Sequence, residues 1–411
     1  MRKVVVTGIG ILSPTGTGKD EFFANLLNRR SGVQRLRDPF VDKLTTKIAA
    51  PTLFQGEHHL SRLKCATLDR TTQLALVAAT QAINDAAIDI DGVDRERIGV
   101  YWGTGMGSAH TVEDCYAGLF SDAHYRVRPA TVVMAMNNAA ASQIALDFGL
   151  LGPSLTYSSA CSSSAVAIGE ALRAIRAGII DRAIVGGADA LLTYGTMRAW
   201  DALRTLAVED IDDPGSSCRP FSADRTGFVL GEGAAALVLE EAHSASARAA
   251  KIYAELAGYG ASTDARHIAR PDAQGQARAI LAALADAGLA PADLGYINAH
   301  GTATQVGDAV ETEALKLSLG SYASTIPISS TKALHGHLMG AAGAAELVVS
   351  LLAMQRGCVP PTAHYRILDP ACDLDYVTEG ARHGLPLGAV MSNSFAFGGN
   401  NAVLVAKDWD G

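Results

Sequence analysis

"SSACSSSAVAIGEALRAIRAG", residues 158–178, and "MGAAGAAELVVSLLAMQRG", residues 339–357, are two versions of one pattern. Each opens on small residues, runs into a helix-length apolar segment and stops at a glycine. In the first, Ala165, Ile168, Leu172 and Ile175 recur at helical spacing. Cys161 stands as far from Gly178 as Gly340 stands from Gly357. Further echoes precede each copy: "GVYWGTGMG" (99–107) and "GYINAHGTAT" (295–304) both read as a strand feeding a Gly-rich loop. A duplicated chain divides near residue 250, into halves 1–250 and 251–411, and brings equivalent loops together between them.

Other apolar runs extend the pattern. "KVVVTGIG", "RIGVYWGTG", "RAIVGGADA", "AALVLEEA", "IYAELAGYG" and "AVMSNSFAFGG" alternate with helical segments such as 71–87 and 274–288. Such alternation predicts an α/β fold with mostly parallel sheets covered on both faces. Ligands in such folds bind beyond the C-terminal ends of strands.

Composition excludes several classes. With 48% hydrophobic and 18% charged residues the chain is neither disordered nor membrane-embedded, and no apolar stretch is long enough to span a bilayer. A net charge of −8 argues against a nucleic-acid partner. Cysteines 65, 115, 161, 218, 358 and 372 form no CxxC pair, which fits a reducing compartment, and the cytoplasm is the expected location. "SPTGTGKDE" (13–21) fails as a phosphate-binding loop: Ser13 replaces the first glycine and Asp20 follows Lys19. It reads instead as a turn before an amphipathic helix.

Four segments carry reactive side chains. Cys161 is either a small buried filler or a nucleophile; in the first turn of its helix the dipole would lower its pKa. His300 ends a strand and is followed by Thr302 and Thr304, hydroxyls suited to a polar ligand, although a lone histidine there also serves structure alone. "SSTKALHGHLMGAAGAAE" (329–346) supplies Lys332, His335, His337 and Glu346. Its HxH pair invites a metal, but no third ligand of suitable spacing follows. In "SNSFAFGGNN" (392–401) Phe395 and Phe397 are fit to wall an apolar pocket, and Gly398 lets backbone approach a ligand. A plain strand–turn–strand is the alternative there.

Taken together, "RKVVVTGIGILSPTG", "ACSSS", "RPFSADRTGFVLGEGAAALVLE", "NAHGTAT", "STKALHGHLMGAAGAAE" and "SNSFAFGGNN" resemble, in order and over essentially the whole chain, the β-ketoacyl-acyl carrier protein synthases of the elongating type II branch. The resemblance implies a thiolase fold: two duplicated α/β halves in a five-layer αβαβα sandwich, assembled as a homodimer. It implies a Cys-His-His set of Cys161, His300 and His337, with Lys332 and Glu346 orienting it and the N–H groups of Cys161 and Phe397 as oxyanion hole. Thr302 and Thr304 would hold the pantetheine arm, Met106 would line the acyl pocket, and Phe395, Ala396, Phe397 and Gly398 would form the gating loop. Acyl and malonyl groups arrive on the phosphopantetheine of an acidic carrier protein, for which Arg62, Lys64 and Arg204 are docking candidates. No redox cofactor, nucleotide or catalytic metal is implied. A structural monovalent cation near Asn298, Glu346, Ser392 and Asn393 is known in some relatives.

The implied reaction is decarboxylative condensation of an acyl-enzyme with malonyl-carrier protein in fatty-acid biosynthesis. Several departures point instead toward a dedicated polyketide or aryl-polyene pathway. Ala396 replaces a glycine, Asn400 a threonine, Ala269 a threonine and Phe221 a tryptophan of the family pattern. A non-catalytic chain-length partner would lack Cys161. A thiolase would need a second cysteine as base near the C-terminal glycine loop, and Cys372 lies well upstream of it.

Overall fold

A computed structural model of the protein describes residues 2–411. The first half contributes β1 (Val4–Ser13), β2 (Ile98–Gly103), β3 (Ser154–Tyr157), β4 (Arg182–Asp189) and β5 (Gly233–Glu241), side by side in the order β1-β5-β4-β2-β3. The second contributes β6 (Ala254–Thr263), β7 (Tyr296–Asn298), β8 (Ile328–Ser329), β9 (Ala389–Ala396) and β10 (Asn400–Lys407), in the order β6-β10-β9-β7-β8. The two orders are the same, and so are the strand directions. In each half the first two pairings are antiparallel and the last two parallel. β1 and β6 meet at Val5–Glu255 and Val6–Ala254, which joins the halves.

The sheets are therefore mixed, which corrects the expectation of mostly parallel strands. β1 and all but the last residue of β5 are buried, so both read as unbroken apolar runs. Burial on both faces writes that run whichever way a neighbouring strand points.

Among the helices that cover the sheets are α1 (Arg70–Ala86), α2 (Ser163–Arg176), α3 (Ala273–Ala287), α4 (Gln305–Leu319) and α5 (Ala342–Arg356). α1 and α3 fall within one residue of their predicted spans. α1 lies on the outside of the first sheet, α3 and α4 outside the second, and α2 and α5 pack on each other between the two. The layers run α-β-α-β-α, as the resemblance implies. The first twelve residues of α5 are all buried, as a helix sandwiched by sheets must be.

Glycine sets the spacing. A Cβ on Gly8 or Gly10 of β1 would lie 2.1 or 2.0 Å from carbonyls of Ala82 or Ala78 in α1. In the other half the same clash would arise at Gly258 and Gly260 of β6, at 2.3 and 2.1 Å from Ala283 and Ala279 in α3. Where α2 meets α5, a Cβ on Gly343 would lie 2.8 Å from that of Ala165.

Candidate active site

The chain leaves β3 and makes a short turn, Ala160–Ser162, before α2. Ala160 adopts φ +50°, a left-handed conformation costing an alanine about 1–2 kcal/mol. Serines hold the turn against that cost. Ser163 Oγ donates to the Ala160 carbonyl at 2.6 Å and accepts the Ser159 N–H at 2.9 Å, while Ser162 Oγ donates to the Ser159 carbonyl at 2.9 Å. Cys161 thus sits in the short turn just ahead of the N-cap, so the condition for a full helix-dipole effect, a place in the first turn, is not met, and it is 5% exposed.

His300 lies just beyond β7. Its N–H and that of Gly301 donate to the Glu311 carboxylate at 2.8 and 2.7 Å, and Lys332 Nζ donates to its carbonyl at 2.6 Å. His337 is clamped by backbone bonds to Val229 and Gly231, at 2.7 and 2.9 Å. These anchors bring Cys161, His300 and His337 together, with one ligand-type atom from each within 4.8 Å of the others. The two imidazoles stand nearly perpendicular, at 81°, with centroids 5.5 Å apart.

Hydrogen bonding fixes the tautomer of His337. Met339 N–H donates to Nδ1 at 3.2 Å, so the proton of the neutral ring sits on Nε2, 3.0 Å from Cys161 Sγ. A protonated Nε2 is a donor, not a metal ligand. His335, the other half of the HxH pair, faces elsewhere: its nitrogens meet the Thr331 hydroxyl and the Gly336 carbonyl at 2.9 and 2.7 Å.

Burial governs the electrostatics. It holds His300 and His337 well below the usual imidazole range, with the Lys332 charge adding to the effect, so both are neutral at pH 7. Burial also pushes the Cys161 thiol up to about 12, against the opposing pull of Lys332 and the Phe397 N–H. The direction is the reverse of that expected from the helix N-terminus alone. Lys332 and Glu346 form a fully buried ion pair, and burial raises Glu346 to about 7 despite it.

A cavity of about 370 Å³ opens onto this set. Thr302, Thr304, Phe395, Ala396 and Phe397 line it, and so do Ala269, Arg204 and Arg270. The ring of Phe397 stacks on Trp200 at 6.3 Å. Ala396 has φ −106°, extended backbone that any residue adopts, so its methyl imposes no strain there; the sharp turn falls on Gly398 and Gly399. Phe221 is buried against Tyr376, with ring centroids 3.9 Å apart. Met106 is outside this cavity's lining and 47% exposed. Arg62 and Lys64 share a short helix away from the lining, and Lys64 is paired with Asp147.

Among the described residues, Asn298 Oδ1, Glu346 Oε2, Ser392 Oγ and Asn393 Oδ1 are buried with no hydrogen-bond partner. These are the four residues that the resemblance marks for a monovalent cation. An all-oxygen set fits a hard cation.

Sequence reading missed Glu311 and Asp308. Besides its two backbone donors, Glu311 accepts from Asn393 at 3.1 Å. Asp308 accepts the Phe221 N–H at 2.7 Å, and burial raises it to about 7. A signal was present: Asp308, Glu311, Leu315 and Leu319 share the buried face of α4, so two carboxylates occupy positions where helical spacing calls for apolar residues.

Residues 1–245 match the family model "Beta-ketoacyl synthase, N-terminal domain", and residues 253–366 match the corresponding C-terminal domain. The chain is 40% identical to 3-oxoacyl-[acyl-carrier-protein] synthase 2 of Staphylococcus aureus (strain N315), over 100% of this chain and 99% of that protein. It superposes on the crystal structure of a β-ketoacyl synthase from Burkholderia phymatum STM815 with TM-score 0.92 and 36% identity, covering 100% of both chains. A type II polyketide ketosynthase, solved in complex with its acyl-carrier protein and bound to a hexaketide, gives TM-score 0.92 at 32% identity, again over 100% of both. A duplicated five-layer fold, a cysteine faced by two neutral histidines and these full-length similarities have one reading: the chain belongs to the β-ketoacyl synthase family of condensing enzymes.

Proposed function

We propose that the protein is an acyltransferase that condenses an acyl group held on Cys161 with malonyl-carrier protein, lengthening the chain by two carbons in fatty-acid biosynthesis. The observation that carries this reading is the 3.0 Å approach of His337 Nε2–H to the buried sulfur, with a second neutral imidazole beside it. Residues 1–250 supply the nucleophile and residues 251–411 the histidines.

The steps follow from the protonation states. At rest the site holds a neutral thiol and two neutral rings. Cys161 sulfur attacks the carrier-bound thioester, its proton passes to the departing pantetheine sulfur, and the tetrahedral oxyanion is met by the N–H groups of Cys161 and Phe397. Malonyl-carrier protein then occupies the emptied cavity, with Thr302 and Thr304 toward its pantetheine arm. Carbon dioxide leaves, and its bonding pair becomes an enolate whose oxygen accepts from Nε2–H of His300 and His337. The enolate carbon attacks the acyl-enzyme carbonyl, the C–S bond breaks, and Cys161 sulfur takes up a proton. Loss of carbon dioxide drives the sequence, so its balance requires no redox cofactor, nucleotide or catalytic metal.

A carrier protein is the proposed partner, with Arg204 at the cavity supporting its approach more directly than Arg62 or the paired Lys64. A homodimer is supported by the open edge of β3 and by exposed Phe120, Val132 and Val133. Cytoplasm is the proposed compartment, supported by six free cysteines; among the described residues no helix is long and apolar enough to cross a membrane. We also propose a structural monovalent cation among Asn298, Glu346, Ser392 and Asn393. The thiolase alternative is disfavoured by Cys372, which packs in the outer core beyond the second sheet rather than in the cavity. A dedicated polyketide pathway is the second reading, favoured by the likeness to the hexaketide-bound ketosynthase.

The test is to incubate the protein with malonyl-carrier protein and a panel of acyl-carrier proteins and to weigh the products. Two-carbon extension of saturated acyl donors is expected. Carbon dioxide release with no extended product from any donor sinks the proposal, and extension confined to β-keto donors selects the polyketide reading.

A further inference from the structure

β4 ends on Asp189, whose side chain is fully buried. Its hydrogen-bond partners are all neutral donors, and they come from two loops on different halves of the molecule. Oδ1 accepts from the Thr104 hydroxyl at 2.8 Å and the Met106 N–H at 3.4 Å. Oδ2 accepts from the N–H groups of Gly105 at 2.9 Å and Gly340 at 2.6 Å. Burying a carboxylate is costly unless its lone pairs are filled, and here both oxygens are. Burial still raises this group to about 6.

The surrounding backbone is shaped for that carboxylate. A Cβ on Gly340 would lie 2.3 Å from Gly105 N, and one on Gly105 would lie 2.9 Å from Asp189 Oδ2. On Gly187 it would lie 2.8 Å from the carbonyls of both Gly103 and Gly340. Each loop then leads to a working part of the site. Gly340 follows Met339, whose N–H sets the tautomer of His337. Thr104 accepts the Gly107 N–H at 3.0 Å and so shapes the loop that carries Met106.

We propose that Asp189 is a positioning residue that couples the Thr104–Gly107 loop to His337 by holding the N–H groups of both loops on one carboxylate. The proposal rests on the condensing-enzyme reading, in which His337 serves carbon dioxide release, and on the acyl-chain role that the family resemblance gives the Met106 loop, which lies outside the lining of the cavity itself. Disturbing the acyl-chain side of Asp189 then alters chemistry on the histidine side.

Two variants test it. Asp189→Asn must turn an NH2 group toward one pair of donors; carbon dioxide release from malonyl-carrier protein is expected to fall about tenfold, with a changed ratio of rates between long and short acyl donors. Thr104→Val is milder and keeps the proposal testable should Asp189→Asn not fold. It removes only a hydroxyl on the acyl-chain side, and carbon dioxide release is expected to fall about threefold at unchanged KM for malonyl-carrier protein. Wild-type carbon dioxide release by Thr104→Val overturns the coupling, as does a uniform loss across all donors in Asp189→Asn. A wild-type protein that condenses nothing breaks the functional reading instead. The coupling is then read from iodoacetamide alkylation of Cys161, whose pH profile Thr104→Val must shift if the coupling holds and leaves unchanged if it does not.

Discussion

The start of α2 and the start of α5 are the same piece of backbone used twice. Ala160–Ser162 and Met339–Ala341 are equivalent short turns, each entered through a non-glycine residue in the left-handed region, Ala160 at φ +50° and Met339 at φ +51°. Cys161 and Gly340 are therefore counterparts. In the first half the position carries a reactive sulfur beside a cavity. In the second it can carry no side chain, because its N–H must reach Asp189 and a Cβ there would lie 2.3 Å from Gly105 N. Duplication preserved the turn and the helix, while chemistry diverged at one atom: what one half displays, the other half buries as a contact.

The largest effect tests the first member of that pair. Cys161→Gly makes the two turns alike and is expected to lower condensation on the order of 10⁴-fold, measured as product mass per unit time, while carbon dioxide release from malonyl-carrier protein persists. Condensation near the wild-type rate would end the nucleophile assignment. Next, His337→Ala removes the Nε2–H donor and is expected to cost about 10²–10³-fold in the condensation rate. A loss below fivefold would mean that His300 alone carries the enolate. Gly340→Ala addresses the other member of the pair. Inserting a methyl where a Cβ would be 2.3 Å from backbone is expected to destabilise the fold by about 1–3 kcal/mol in urea unfolding, and an unchanged midpoint would break the equivalence.

Two smaller effects sharpen the electrostatic side. With its thiol raised to about 12, Cys161 is expected to react with iodoacetamide at a rate that climbs steadily from pH 7 to pH 10. The sign follows from the thiolate fraction, which keeps growing until pH passes the raised value. A plateau below pH 8 would mean that the start of α2 outweighs burial. Finally, exchanging potassium or sodium for a bulky organic cation is expected to lower Tm by a few degrees, about 1 kcal/mol, if the oxygens of Asn298, Glu346, Ser392 and Asn393 hold a cation. An identical Tm in all salts removes the cation from the account.

Local pattern carried the parts of the fold that local pattern can encode. Apolar period placed α1 and α3 within a residue, and the spacing from Cys161 to Gly178 exposed the duplication. Strand direction escaped, because β1 and β5 are covered on both faces and leave no alternation to read. At the site, Cys161, His300 and His337 were legible as reactive residues in unusual surroundings. Glu311 and Asp308 left only the trace of two carboxylates on the apolar face of α4, and Asp189 left none, because each works by accepting backbone N–H groups, and a backbone donor has no letter in the sequence. The pKa direction of Cys161 escaped for a related reason: burial belongs to the assembled halves, whereas the helix beside it is local.

The sandwiched position of α5 has a consequence for the nascent chain. α2 and α5 share one core cluster whose far wall includes strands running to Lys407. A ribosome that has released Cys161 has made a thiol without its imidazoles, and even the emergence of His337 leaves β9 and β10 still to come. Condensation therefore waits on assembly: the thiol meets its histidines, and is buried among them, only when β9 and β10 close the core.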